Sequence, residues 1–193
     1  MPVIAARRAP DAGRASAPPL SVTRSALLVG GSDRAFRELI WSLLIVANRL
    51  PRYPEAFGRY LGISGAMYTV LIAAAHTQGP GGVNIRALAD YMHLPAPHIT
   101  TTVGKLVEEG FLAKRPNPKD GRGVLISLTA AGAAALARLA PFQSEVNNVL
   151  FDGIGHEDFH ALARLMETMV GNSARALARV ESLDRARRAG KGE

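Results

Sequence analysis

At 193 residues the chain can bury one good core, and with 48% hydrophobic but only 6% aromatic residues its apolar content rests on alanine, leucine and valine, which favours helices over a β-sandwich. It has no run of about eighteen apolar residues to span a membrane, no apolar segment of a secretory signal after Arg7 and Arg8, and no cysteine for disulfides, thiolate zinc sites or thiol redox chemistry. The net charge of +7 is uneven: residues 1–30 carry +3 and residues 184–193 carry +2, so much of the basicity lies in tails that can attract phosphates without reading sequence.

Residues 1–30 are rich in Ala, Pro, Arg and Ser without a sustained period, which predicts a disordered basic tail. Ser32 suits the N-cap of a helix from Asp33 to about Leu50. Its Phe36, Leu39, Ile40, Leu43, Leu44, Ala47 and Leu50 make a wide stripe, fit for a buried or partner-facing helix. Pro51 and Pro54 break that pattern. Ser64 caps the next helix, in which Met67, Val70, Leu71 and Ala74 share a face, and Gly-Pro-Gly-Gly at 79–82 ends it.

Asn84 caps a short helix with Ile85, Leu88, Ala89 and Met92 at i, i+3, i+4 and i+7. His93-Leu94-Pro95-Ala96 is a turn, and Pro97 opens a second helix that buries Ile99, Val103, Leu106 and Val107 and stops at Gly110. Two short helices around a tight turn, the second with a polar outer face, form a helix-turn-helix pattern. The period then changes from 3.6 to 2. Strands Phe111–Arg115 and Val124–Thr129 enclose a loop holding Lys119, Asp120 and Arg122. Thr129 caps an Ala-rich helix to about Leu150, and Gly153 and Gly155 break it. A last amphipathic helix, with Phe159, Leu162, Met166 and Met169 in its stripe, runs from about His156 to Leu183.

A reading helix beside a charged hairpin suits duplex DNA. Removing the core positions from the helix Pro97–Glu109 leaves His98, Thr101, Thr102, Lys105 and Glu108 outward, with Thr100 at the margin. In a major groove, His98 and the threonines can bond to bases or phosphates, a threonine methyl can pack on thymine, and Lys105 suits a phosphate or guanine edge. Arg86, on the preceding helix, is a further candidate DNA-binding residue. Lys114, Arg115, Lys119 and Arg122 cluster within nine positions, and a narrow minor groove attracts an arginine such as Arg122. DNA repels the Asp120 carboxylate, so its expected task is to orient a nearby arginine or brace the loop.

The order helix, helix, helix-turn-helix, wing, long helix, long helix resembles the MarR family of winged-helix transcriptional regulators. The resemblance is carried by Gly110-Phe111-Leu112 with Arg115, by Asp120-Gly121-Arg122 in the wing, and by Leu128-Thr129 followed by Gly132. It covers about residues 33–183. It implies a mainly α fold with a small β-hairpin wing, organised as one domain over 31–183 between the tail 1–30 and the basic tail 184–193. Within it, the DNA-reading lobe spans about 62–129 and the dimerisation helices about 33–50 and 130–183. The implied protein is a cytoplasmic homodimer on a pseudo-palindromic operator, with Arg122 as the minor-groove arginine. The resemblance also implies a small effector, such as an aromatic acid or its thioester. Arg49, Arg52 and His76 are candidate contacts for its anion. The chain departs from the family at Thr101, where many relatives carry arginine, and at Met67, where a glutamine is common, so binding is expected to lean on the wing and on DNA shape. An effector-independent or architectural DNA-binding protein is the competing reading.

One motif points elsewhere. His156-Glu157-Asp158-Phe159-His160 fits H-E-x-x-H, the zinc-protease pattern. It sits at a helix start, where Glu157 and Asp158 favour the helix dipole, its Phe159 belongs to the apolar stripe, and no convincing third ligand follows. Neither a catalytic set nor a resident cofactor or metal is expected.

Overall fold

The described residues of the computed structural model, 18–118 and 120–190 with only the backbone of 120–122, follow the order expected from capping and periodicity. The helices are α1 (Arg34–Arg49), α2 (Arg52–Leu61), α3 (Gly65–Thr77), α4 (Ile85–Met92), α5 (Ala96–Glu108), α6 (Ala130–Leu150) and α7 (His156–Ala189). The strands are β1 (Val83–Asn84), β2 (Leu112–Asn117) and β3 (Asp120–Leu128), in the antiparallel order β1-β3-β2. The fold is therefore mainly α with a small winged sheet. The chain divides into two compact units, up to Leu136 and from Ala137 onward, where the sequence suggested one domain over 31–183. No helix among the described residues is long and apolar enough to cross a membrane.

The tail expected over 1–30 lies outside the described residues as far as 17. From Pro18 the chain is ordered, which corrects the expected disorder of residues 18–30. Asp33, the N-cap of α1, accepts from the Ser21 amide at 2.7 Å, the Ser21 hydroxyl at 2.6 Å and Arg37 Nε at 2.9 Å. Arg37 also donates to the Pro19 carbonyl at 2.7 Å. The capping residue is thus Asp33 and not Ser32, whose hydroxyl accepts from the Arg34 amide at 3.2 Å. The two Ser21 bonds and Arg37 favour the carboxylate and hold the Asp33 pKa at about 2, below its ordinary 3.8.

A further departure is α2, hidden in the sequence by two prolines. Pro51 is its N-cap and Pro54 its third residue, both within the first turn, where a missing N–H breaks no helical bond. Phe57 of α2 meets Tyr68 of α3 edge to face, with centroids 5.4 Å apart, and burial pushes the Tyr68 phenol pKa up. Ser64 caps α3 as expected, accepting from the Met67 amide at 3.2 Å. The first unit's core gathers Phe57, Tyr68, Leu71, Leu88, Ile99, Val103, Leu106, Leu112 and Ile126, all buried. Each such side chain contributes about 1.5–3 kcal/mol.

The hairpin strands also outrun their expected limits, because Pro116 and the wing glycines read as breakers in sequence. Pairing runs from Leu112↔Leu128 to Pro116↔Val124 and then, past residues 121–123, to Asn117↔Asp120. Pro116 can sit there because β2 is an edge strand, where a missing donor is tolerated. Asp120 and Arg122 thus belong to β3 and not to an open loop.

In the second unit, Phe151 and Phe159 pack edge to face across the α6–α7 turn at 6.1 Å. The expected end of α7 at Leu183 is too early: residues 184–189 continue the helix, and Arg188 meets Asp184 at 2.7 Å. Neither α1 nor α7 buries a single residue. Leu39, Trp41 and Leu44 on α1, its C-cap Leu50, and Phe159, Leu162, Met166 and Met169 on α7 are exposed.

Two outcomes test this account. A Cβ at Gly132 would lie 2.2 Å from the Phe111 carbonyl oxygen, whereas one at Gly104 meets nothing within 4 Å. In urea denaturation Gly132→Ala should therefore lose about 1–3 kcal/mol, while Gly104→Ala should gain up to about 1 kcal/mol. Separately, an NMR titration should find the Asp33 carboxyl near 2, and Ser21→Ala should move it toward 3.8. The folded pKa is the depressed one, so the contribution is complete above the unfolded value and disappears as pH falls through about 2.

Candidate nucleic-acid interface

The candidate interface begins with two caps. Asn84 Oδ1 accepts from the Ala87 amide at 2.7 Å and starts α4, whose Leu88 and Ala89 are buried. At its far end the Leu94 amide returns to the Ala89 carbonyl at 3.1 Å and the His93 amide to Asp90 at 3.3 Å, with His93 at φ 51°. This left-handed closure turns the chain into α5, where Pro97 is the second helical residue and not the first. Gly110, at φ 77°, closes α5 the same way: its amide bonds to Val107 and that of Phe111 to Leu106.

Burial of Ile99, Val103 and Leu106 fixes the rotation of α5. Its exposed face presents His98, Thr100, Thr101, Lys105 and Glu108. Thr102 is a correction: it is only 6% exposed and belongs to the inner side, while Thr100, expected at the margin, is exposed. The 100° step per residue sets Thr102 beside Ile99 and Leu106.

All three threonine hydroxyls donate back to carbonyls four residues earlier: Thr100 to Ala96 at 2.9 Å, Thr101 to Pro97 at 3.1 Å and Thr102 to His98 at 3.0 Å. Their hydrogens are engaged in the helix. What Thr100 and Thr101 offer outward is a hydroxyl lone pair and a methyl, suited to accepting from an exocyclic base amine or packing on a thymine methyl. Gly104, on the same helix, leaves open space where a side chain would stand. Sequence reasoning missed it, since a mid-helix glycine reads only as a weak point.

Arg86 is exposed on α4, as are Lys114 and Arg115 on β2. The strand's alternation puts Lys114 and Arg115 on opposite faces, and Arg115 Nη2 donates to the Gly81 carbonyl. Lys119 and the side chains of Asp120 and Arg122 lie outside the described residues. Of the effector candidates, Arg49 ends α1, Arg52 starts α2 and His76 is in the last turn of α3; all three are exposed. In the H-E-x-x-H segment the rings of His156 and His160 are 4.4 Å apart, and among the described residues no three His, Cys, Asp or Glu side chains gather as a metal site.

Residues 69–124, from α3 through the wing, match the model of the MarR family. The lobe that this segment spans has a winged-helix fold, with α5 followed by the β2–β3 hairpin. Solved structures share this fold. A MarR/EmrR family transcriptional regulator from Acinetobacter sp. ADP1 is 17% identical, with 74% of this chain and 99% of that one covered and a TM-score of 0.61. A MarR transcriptional regulator from Methanosarcina mazei Go1 is 22% identical, with 72% and 98% covered and a TM-score of 0.56. A mutant MarR from E. coli complexed with operator DNA is 23% identical, with 72% and 99% covered and a TM-score of 0.53. No curated protein sequence matches the chain.

The placement of Thr102 in the MarR-type lobe is checkable. Thr102→Val, which keeps the shape and removes the hydroxyl, should leave operator affinity in a gel-shift titration unchanged. Thr101→Val should weaken binding wherever the operator presents a base donor to that position.

Proposed function

We propose that the protein is a cytoplasmic transcriptional regulator that binds a pseudo-palindromic operator as a homodimer and is released or modulated by a small acid or its thioester. The observation that carries the reading is the exposed polar face of α5 beside a wing with basic residues on it, in a lobe of the MarR family. In this reading α5 lies in the major groove, with His98, Thr100 and Thr101 toward base edges and Lys105 toward a phosphate. Arg86 and Lys114 neutralise backbone charge, with Lys119 added from the wing, and Arg122 enters the adjacent minor groove. Asp120 orients a wing arginine.

Support for the dimer comes from the large exposed apolar residues along α1 and along α7, each a helix with an uncovered apolar face of the kind that marks an interaction surface. The effector reading rests on the MarR resemblance and on Arg49, Arg52 and His76 as exposed groups able to meet an anion. The MarR protein from E. coli complexed with operator DNA supplies the analogy for the DNA itself. Nothing in the α7 histidine pair favours proteolysis over this reading.

Footprinting on the DNA beside the protein's own gene, with sedimentation of the complex, tests the proposal. The expected result is a two-fold symmetric footprint occupied by two chains. Arg122→Ala should weaken that complex by about 1–3 kcal/mol, and unchanged affinity at moderate salt would remove the wing from the interface. Titrating aromatic acids and thioesters into the complex should release the DNA. A complex that none of them disturbs would favour the effector-independent regulator.

A further inference from the structure

We infer that Arg115 is a positioning residue, one that ties the wing to the turn before β1 and so sets the distance between wing and reading helix, without itself gripping DNA. The inference rests on the reading of this lobe as DNA-binding, in which Arg115 would otherwise count among the phosphate contacts.

The sheet register separates the two basic residues of β2. Lys114 pairs with Ile126 and Arg115 with Leu125, which in turn pairs with Asn84 of β1. Arg115 therefore shares a face with Leu125 and Asn84, while Lys114 lies on the other. From that face the Arg115 guanidinium donates to the Gly81 carbonyl, 34 positions earlier in the chain. The fit is close: a Cβ added at Gly81 would stand 3.4 Å from the donating nitrogen. A charged donor on a carbonyl is among the stronger hydrogen bonds a surface can make.

The turn that receives this bond is itself fixed to the rest of the lobe. Gln78, the C-cap of α3, accepts from the Leu128 amide of β3 through its side chain at 2.9 Å. The Gly79↔Gly82 bridge closes the turn, and β1 leaves it to pair with β3. Helix α3 packs on both α5 and β3. A continuous path thus runs from the reading helix through α3 and the turn to the sheet.

Its weakest link is the outer half of β2. That strand has one neighbour, Pro116 gives no ladder donor, and opposite it the pairing skips residues 121–123. A cavity of about 530 Å³ lies beside the tie, lined by Gly81, Asn84, Arg115, Pro118 and Leu125 among others. Without the guanidinium, β2 and the turn would face each other across that space, and the wing tip would sample a wider arc. A minor-groove contact made from the tip would lose its register with the major-groove contacts of α5.

The test compares R115Q, R115K and K114Q in the full-length protein, by anisotropy on the footprinted operator over a range of salt. R115Q should weaken binding about tenfold and leave the slope of log K against log salt unchanged. R115K should recover most of the loss, because an ammonium can reach the same carbonyl. K114Q should reduce the slope by about 0.9, as the loss of one phosphate contact does. Hydrogen exchange on the DNA-free protein should quicken at residues 79–84 in R115Q alone. Should R115Q fold poorly, R115M, which keeps the aliphatic stem, is read in the same way. A slope lowered by R115Q as by K114Q, an unchanged affinity, or unchanged exchange at 79–84 would each overturn the tie. If the wild-type protein bound no operator, the DNA reading would fall, while the exchange measurement would still decide whether the tie exists.

Discussion

The position of the wing relative to the reading helix depends on a junction of three chain segments at Thr129. Its hydroxyl donates to the Gly110 carbonyl at 2.6 Å and accepts from the Gly132 amide at 2.9 Å, and its own amide donates to the Phe111 carbonyl at 3.1 Å. One residue thereby joins the end of α5, the entry to β2 and the first turn of α6. Gly132 is the partner condition, since only a residue without Cβ lets α6 start so close to the Phe111 carbonyl. The cap of one helix is the anchor of the hairpin, so a change there would move the wing as well as fray a terminus.

That fixed frame matters because the reading helix carries little charge of its own. Lys105 is its single basic side chain besides His98, and the threonine hydroxyls have given their hydrogens to the helix. A face of methyls and lone pairs discriminates between bases weakly, and each such contact is worth less than a bidentate arginine on guanine. Affinity and specificity of the proposed regulator would then be shared with phosphate contacts and groove shape, both of which act through geometry. In the proposed regulator, the stiffness of the wing attachment stands in for the missing arginine at Thr101.

How much of this was legible in sequence follows from the range of the interactions. Ser64, Asn84 and Gly110 act within four residues of themselves, as does Thr129 in its capping bond to the Gly132 amide, and each has its expected role. In α3, α4 and α5 the period alone points to the buried Val70, Leu71, Ala74, Leu88, Ala89, Ile99, Val103 and Leu106, but not to Tyr68. The errors lie where a distant partner decides. Thr102 looks like Thr101 until neighbouring elements close over it. Arg115 looks like one more cation until the turn at Gly81, 34 positions away, supplies its acceptor. Residues 18–30 look unstructured because their order depends on Asp33, to which Ser21 reaches across twelve positions. Helix α2 failed for a different reason: proline was read as a breaker, although in a first turn it costs nothing.

The same reasoning bears on α1. It has 16 residues, several of them β-branched or aromatic (Ile40, Trp41, Ile45, Val46), and none is buried. Isolated helices of that length are marginal in water even when alanine-rich, because one apolar face must be covered to offset the cost of nucleation. Trp41 at 67% exposure and Leu39 and Leu44 at 54% have no such cover among the described residues. The exposed Arg34–Glu38 pair adds only a few tenths of a kcal/mol. In the proposed homodimer that face would be covered by the partner, and part of the stability of α1 would come from there. It follows that the order of α1 and the occupancy of an operator would both rise with protomer concentration, through one association equilibrium.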